Sequence, residues 1–429
     1  MISEGLSNRN FGNALIYFAN GGPATLRDRH QRGLRMKWTS ALSEQPVLDD
    51  AIAECGAAIK ASIGDEVLDL AVAFISPHYE DSYERVAGLM AKNLGAKHVF
   101  GCSGGGVIGN GLEIEQRAGI SITAAVLPDV EIKPFHLQGD GLPDMDAGPD
   151  KWETLIGVQA DLDPHFVMVA DPYSFPVQDL LMGMDFAFPK ATKIGGLASG
   201  ASRQGGNALF LDDQVLRTGA IGMALSGNII VDTVVAQGCR PIGQPLRISK
   251  SDRNMLLELD GIPPMEVIRS MFQELPERDR ELLGHSLFLG VVMDELIENP
   301  VQGDFLIRNV VGTDQKTGGL AIGEMLKEGQ LVQFHLRDAE TSADDLQAVL
   351  SRYADENREN EIPGALLFSC LGRGQFLYGR PNHDTEIFRE KLGAVPLGGF
   401  FCNGEIGPVS GTTFLHGYTS SFGLFRPKL

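Results

Sequence analysis

The sequence is short of cysteine, of tryptophan and of positive charge. Five cysteines in 429 residues, an odd number with no paired spacing, exclude a disulfide framework and point to a reducing, cytoplasmic setting. Lysine and arginine total 36 against 56 aspartates and glutamates, a formal charge of −20. That balance removes the basic footprint that nucleic acid or an anionic membrane surface requires. No apolar run reaches the roughly 18 residues needed to cross a bilayer, and no apolar stretch behind a charged start marks a secretory leader. Histidine and cysteine pairs at zinc spacing, and aspartate-rich calcium loops, are also missing, so no metal is expected.

What the chain does have is apolar sequence in ordinary amount, 43%, and 52 glycines that cluster behind apolar runs. VLDDAIAECGAAIKASIG has helical spacing, LDLAVAFI reads as a buried strand, HYEDSYERVAGLMAKNLG as a helix, and AKHVFGC as a second strand running into SGGGVIGNG. The plan returns in HFVMVAD, a helix around Val177–Met184 and TKIGGLASG, and again in GALLFSC, a helix around Asp384–Leu392 and AVPLGGFFCNGEIG. A β-rich stretch follows each copy: GISITAAVL, TGAIGMALSG and LHGYTSSFGLF.

These recurrences predict an α/β protein of internal duplication, with two related domains of mixed β-sheets flanked by helices. The expected division is 36–235 and 236–429, with the turn between them near Ile229–Cys239. Residues 1–35 read as a flexible basic extension, a transit segment or a false start before Met36. Between the second and third copies come consecutive short strands and a helix over Pro264–Leu275. LFLGVVMD and DFLIRNVVG then form a strand pair, and a second helix spans Ser342–Tyr353, with Ser342 and Asp345 as capping residues. The acidic stretch Gly139–Asp150 is expected to be a surface loop.

SCLGRG (Ser369–Gly374), PLGGFFCNGEIGPV (Pro396–Val409) and FLHGYTSSFGLF (Phe414–Phe425) resemble the FIST domain of F-box and intracellular signal-transduction proteins. GCSGGGVIG, GGLASG and GCRPIG extend the resemblance from about Met36 to the C-terminus. It implies two related α/β halves, FIST N and FIST C, and a sensory role: binding a small ligand, with amino acids or their derivatives proposed. Since the chain carries no output module, the resemblance implies a separate signalling partner. A subset of the family binds haem and responds to nitric oxide, which makes haem at His416 an alternative.

The residues themselves allow several chemistries. GGGVIG (Gly104–Gly109) matches a dinucleotide fingerprint, but Asn110-Gly111 breaks the chain where the fingerprint needs a helix N-terminus, so a glycine turn is expected instead. Cys102, Cys370 and Cys402 sit at strand ends beside glycines, where they pack, line a pocket or act as nucleophiles with His416 as base. A cysteine-dependent hydrolase or transferase is therefore the second alternative. Arg373 lies between two glycines and presents a planar fork suited to a carboxylate, while Glu405 can hold an ammonium group. The competing reading has Arg373 and Glu405 pair with each other. Asn403 and Thr419 can add neutral hydrogen bonds, and Ser103 and Ser199 are their counterparts in the N-terminal half. Ligand binding at these ten positions, without catalysis or cofactor, is the expected function.

Overall fold

The computed structural model describes residues 35–294, 296–297 and 299–428. The apolar runs Leu70–Ile75, His165–Ala170 and Gly364–Cys370 are strands, buried over almost their whole lengths. Each pairs in parallel with the strand that leads into a glycine-rich segment: His98–Ser103, Lys193–Leu197 and Leu397–Cys402. The crossover between each parallel pair contains a helix, Val86–Asn93, Val177–Ala187 or His383–Leu392, as parallel pairing demands. On the other flank run the antiparallel strands Ile120–Val126, Ala220–Gly227 and Thr419–Arg426.

An opening strand lies beyond each of these, Lys37–Ser43, Val130–Leu137 and Ile230–Gln237. A helix follows the first two directly (Leu48–Ile63, Pro149–Ile156) and the third after an insertion (Ala339–Glu356). One unit is thus repeated three times, and the fold is a duplicated α/β architecture of mixed sheets flanked by helices.

The units exchange hairpins. Gly106–Gly109 with Leu112–Glu115, from the first unit, adds to the sheet of the third. Leu209–Leu211 with Gln214–Leu216, from the second, adds to the first, and Glu405–Val409 with Thr412–His416, from the third, adds to the second. The sheets share a core in which Phe74 stacks on Phe400 at 4.6 Å and meets Phe368 edge-on. A closed barrel of six strands is inserted in the third unit, from Cys239 to Arg337.

Some local expectations are corrected. Lys37–Ser43 is a strand that the pattern did not reveal, and the helix at Val86 is preceded by a separate 3₁₀ segment, Pro77–Arg85. Asp338, not Ser342 or Asp345, caps Ala339–Glu356, accepting from Thr341 N at 2.8 Å. Ser342 is buried and donates to Gly238 O at 2.7 Å, and Asp345 accepts from Gln237 N at 2.6 Å. The consecutive strands include one of 14 residues, Cys239–Asp252. Gly106–Gly109 is a strand that turns straight into another, so no helix N-terminus stands where a pyrophosphate would need one. The expectation for residues 1–35 lies, except for Arg35, outside the described residues. Among the described residues no helix is long and apolar enough to cross a membrane.

Candidate functional site

The parallel strands Gly364–Cys370 and Leu397–Cys402 end level with each other, Cys370 opposite Cys402. Thr419–Arg426 starts beside them, with Ser420 opposite Ser369. Gln237, Gly238 and Cys239 carry the chain from that sheet into the barrel, and the barrel's last strand returns there with Arg337 opposite Cys239. Several strand ends therefore meet where the barrel joins the third sheet, and the loop Leu371–Gly374 runs over them.

Arg373 is fully buried in this junction. Its Nε donates to Asp384 Oδ2 at 2.9 Å, and its Nη2 to Asp384 Oδ1 at 3.2 Å and to the Tyr378 hydroxyl at 2.6 Å. Burial by itself would pull the guanidinium down, but Asp384 outweighs burial and holds it above the ordinary arginine value. Burial would likewise raise Asp384; Arg373 overrides it, and Asp384 stays well below the usual carboxylate range. Nη1 of Arg373 has no hydrogen-bond partner among the described residues.

Glu405 is fully buried as well. Its Oε2 accepts from Thr419 N at 3.1 Å and from Thr419 Oγ1 at 2.8 Å, while Oε1 has no partner among the described residues. Burial pushes this carboxyl up to about 8, against the pull of Thr419, Arg373 and Arg337. The competing reading, a pairing of Arg373 with Glu405, is not formed; Asp384 has taken the arginine. A buried donor or acceptor left unmade costs about 1–3 kcal/mol, so each orphaned atom calls for an explanation.

Around these two stand the other sequence candidates. Cys370 is half-buried, and burial followed by Glu405 pushes its thiol up to about 11. Cys402 and Cys102 are fully buried, and burial holds both thiols well above the ordinary value. Cys402 Sγ rests 3.5 Å from Phe400 O. Ser199 accepts from Gly105 N at 2.9 Å and donates to Phe401 O, which ties all three glycine-rich segments together. Ser103 accepts from Ala208 N at 2.9 Å inside the first sheet. The Asn403 side chain is exposed on the turn, its backbone N–H bound to Leu197 O at 3.1 Å. His416 is buried with Nε2 donating to Gly407 O at 3.0 Å, and burial pulls its pKa down to about 4.

The junction thus gathers Arg373, Glu405, Thr419, Cys370 and Cys402, while Cys102 and Ser103 belong to the packing of the first unit. Sequence reasoning missed Asp384, Tyr378, Tyr418, Cys239 and Arg337. Arg337 had a visible signal, a charge ending the alternating run LVQFHLR, but no local feature connects it to SCLGRG. A cavity of about 290 Å³ opens at the opposite end of these strands, lined by Thr39, Ser40, Asn110, Arg389 and Pro396 among others, and none of the ten candidates borders it.

The FIST N domain matches residues 69–262, and the FIST C domain matches residues 264–408. The chain belongs to the FIST family. FIST domains are associated with small-ligand sensing in signal transduction. An uncharacterised protein of Mycobacterium tuberculosis is 35% identical to this FIST protein over 390 residues, which cover 90% of this chain and 98% of that one. An uncharacterised protein of Mycobacterium bovis is 33% identical over 387 residues, covering 89% and 96%. An F-box/LRR-repeat protein of Arabidopsis thaliana shares 31% identity over 156 residues, 32% of this chain and 29% of that protein. Among solved structures, a cyanuric acid hydrolase from A. caulinodans aligns over 91% of this chain and 99% of its own at 7% identity. Its TM-score of 0.36 carries no argument about activity.

In this FIST chain Arg373 and Asp384 form an ion pair, burial raises the Cys370 and Cys402 thiols, and no described hydrogen bond joins His416 to a cysteine.

Proposed function

We propose that this FIST protein is an intracellular sensor that binds a small ligand, an amino acid or a related metabolite, and passes the signal to a separate partner protein. The observation that carries the reading is the pair of orphaned atoms in the junction, Arg373 Nη1 and Glu405 Oε1. One is a cationic donor and the other an oxygen of a carboxyl that burial raises to about 8 and that an ammonium group beside it would draw back to the carboxylate, the two complements of an amino acid's ends. Cys370 and Tyr418, both part-exposed, would border the access route. A ligand spanning the seam favours one arrangement of barrel and sheet over others, and that preference is the signal. Five free thiols fit a reducing, cytoplasmic location.

Neither alternative has comparable support. His416 is buried with its Nε2 bound to Gly407 O, and no cavity that could take a haem is found beside it among the described residues. A thiol nucleophile needs a lowered pKa, and burial moves these thiols the other way.

The test is thermal denaturation of the full chain against the twenty amino acids and their common derivatives. A ligand at 100 times its dissociation constant adds about 2.7 kcal/mol and moves the midpoint by a few degrees. A selective shift that Glu405→Gln abolishes is the expected result. No shift with any of them would sink the reading.

A further inference from the structure

Arg373 by itself is a poor candidate for the group that receives the ligand's carboxylate. Asp384 already holds it through two hydrogen bonds and answers its charge. A second carboxylate there would compete for one guanidinium in a fully buried place.

Arg337 is different. Its side chain is 8% exposed, it makes no ion pair among the described residues, and its buried Nε lacks a partner. What holds it is a neutral carbonyl, Gly372 O, and the face of the Tyr418 ring at 4.9 Å. Tyr418 has φ +67°, a left-handed backbone that an aromatic residue rarely adopts. Its ring packs tilted against Phe288, with centroids 4.4 Å apart, and its hydroxyl bonds Asn309. The barrel thus keeps a strained residue where its ring supports the guanidinium. Gly372 fits closely against the same group, since a Cβ there would stand 2.6 Å from Arg337 Nη1.

Resting on the ligand-binding reading above, we infer that Arg337 receives the ligand's carboxylate and sets selectivity for free acids, with Arg373 as the fixed frame behind it. Arg337 is a buried cation of the junction that forms no ion pair among the described residues, Glu405 acting on it without a salt bridge. Arg337 Nε and Arg373 Nη1 are both buried without a partner among the described residues, two free donors for the two oxygens of a carboxylate, and Glu405 remains for the ammonium group. Since Arg337 ends the barrel's last strand, the same contact links ligand to barrel.

The experiment titrates the full chain by thermal shift with an equimolar mixture of the twenty amino acids and, separately, with their α-carboxamides. Wild type should respond to the acids at concentrations roughly 10- to 100-fold lower than to the amides. Arg337→Met should erase that preference, and Arg337→Lys should restore part of it. Gly372→Ala, which keeps the charge but displaces the guanidinium, should reduce it and carries the test should Arg337→Met fail to fold. An unchanged acid preference in Arg337→Met, or in Gly372→Ala where only that variant folds, would overturn the role of Arg337 alone. A wild type that responds to neither mixture would overturn the ligand-binding reading with it.

Discussion

Glu405 and Glu113 are two carboxyls that the fold buries almost completely, each with one oxygen unpartnered among the described residues. Burial first, and for Glu113 then the charge of Asp384, raises each from about 4.5 to about 8. Between those values the native state keeps protons that the unfolded chain releases. Stability therefore falls as pH rises through that window, by at most about 1.4 kcal/mol per pH unit for each group. Urea denaturation at pH 5.5 and 7.5 should show the fall, and Glu405→Gln should flatten it in part while Glu113 keeps the rest. A fall as steep in Glu405→Gln as in wild type would show that Glu405 titrates normally. At this scale the sequence was half legible. Arg373 and Glu405 stood out because glycines flank them. Asp384 read only as the start of a helix, and Arg337 lies 36 residues before Arg373 in a different strand. Only the register of Arg337 opposite Cys239 brings it to the junction.

At the level of elements, the parallel pairs were legible because strands buried on both faces read as unbroken apolar runs. The hairpin exchange was not, because nothing within a glycine-rich stretch says which sheet its next strand will join. The three second strands share one packing feature. Gly101, Gly195 and Gly399 each lie against the carbonyl of the preceding parallel strand, Ala73, Met168 and Leu367 respectively, so closely that a Cβ would collide with backbone. Backbone in mid-sheet cannot move aside as a side chain does. Gly399→Ala should therefore cost at least about 3 kcal/mol in urea denaturation. Gly88, inside helix Val86–Asn93 with open space around it, is the control. Gly88→Ala should stabilise by about 0.5–1 kcal/mol. Equal effects of the two changes would show that the three glycines are incidental.

For the whole molecule, the two FIST segments and the three structural units divide the chain differently. The change from FIST N to FIST C falls within the barrel, between strand Met255–Leu259 and helix Pro264–Glu274, whereas the units begin at Lys37, Val130 and Ile230. Cyclic exchange of hairpins makes the three sheets depend on one another, so the α/β core should unfold in a single transition. The barrel stands apart from that dependence. It has a core of its own around Ile248, Leu289, Val332 and Phe334, and its two ends are ladder partners, Cys239 and Arg337. Partners in an antiparallel ladder lie about 5 Å apart, a gap that a short turn can close. Replacing residues 240–336 by a two-residue glycine turn should leave a core that still melts cooperatively, at a lower temperature because Tyr418 loses Phe288 and Asn309. That core should no longer respond to amino acids, since Tyr418, without Phe288 and Asn309, would no longer fix the place of Arg337. Circular dichroism melts with and without the acid mixture read both outcomes. A core that fails to fold would mean that the barrel is part of the scaffold; one that folds and still responds would place the ligand outside the junction.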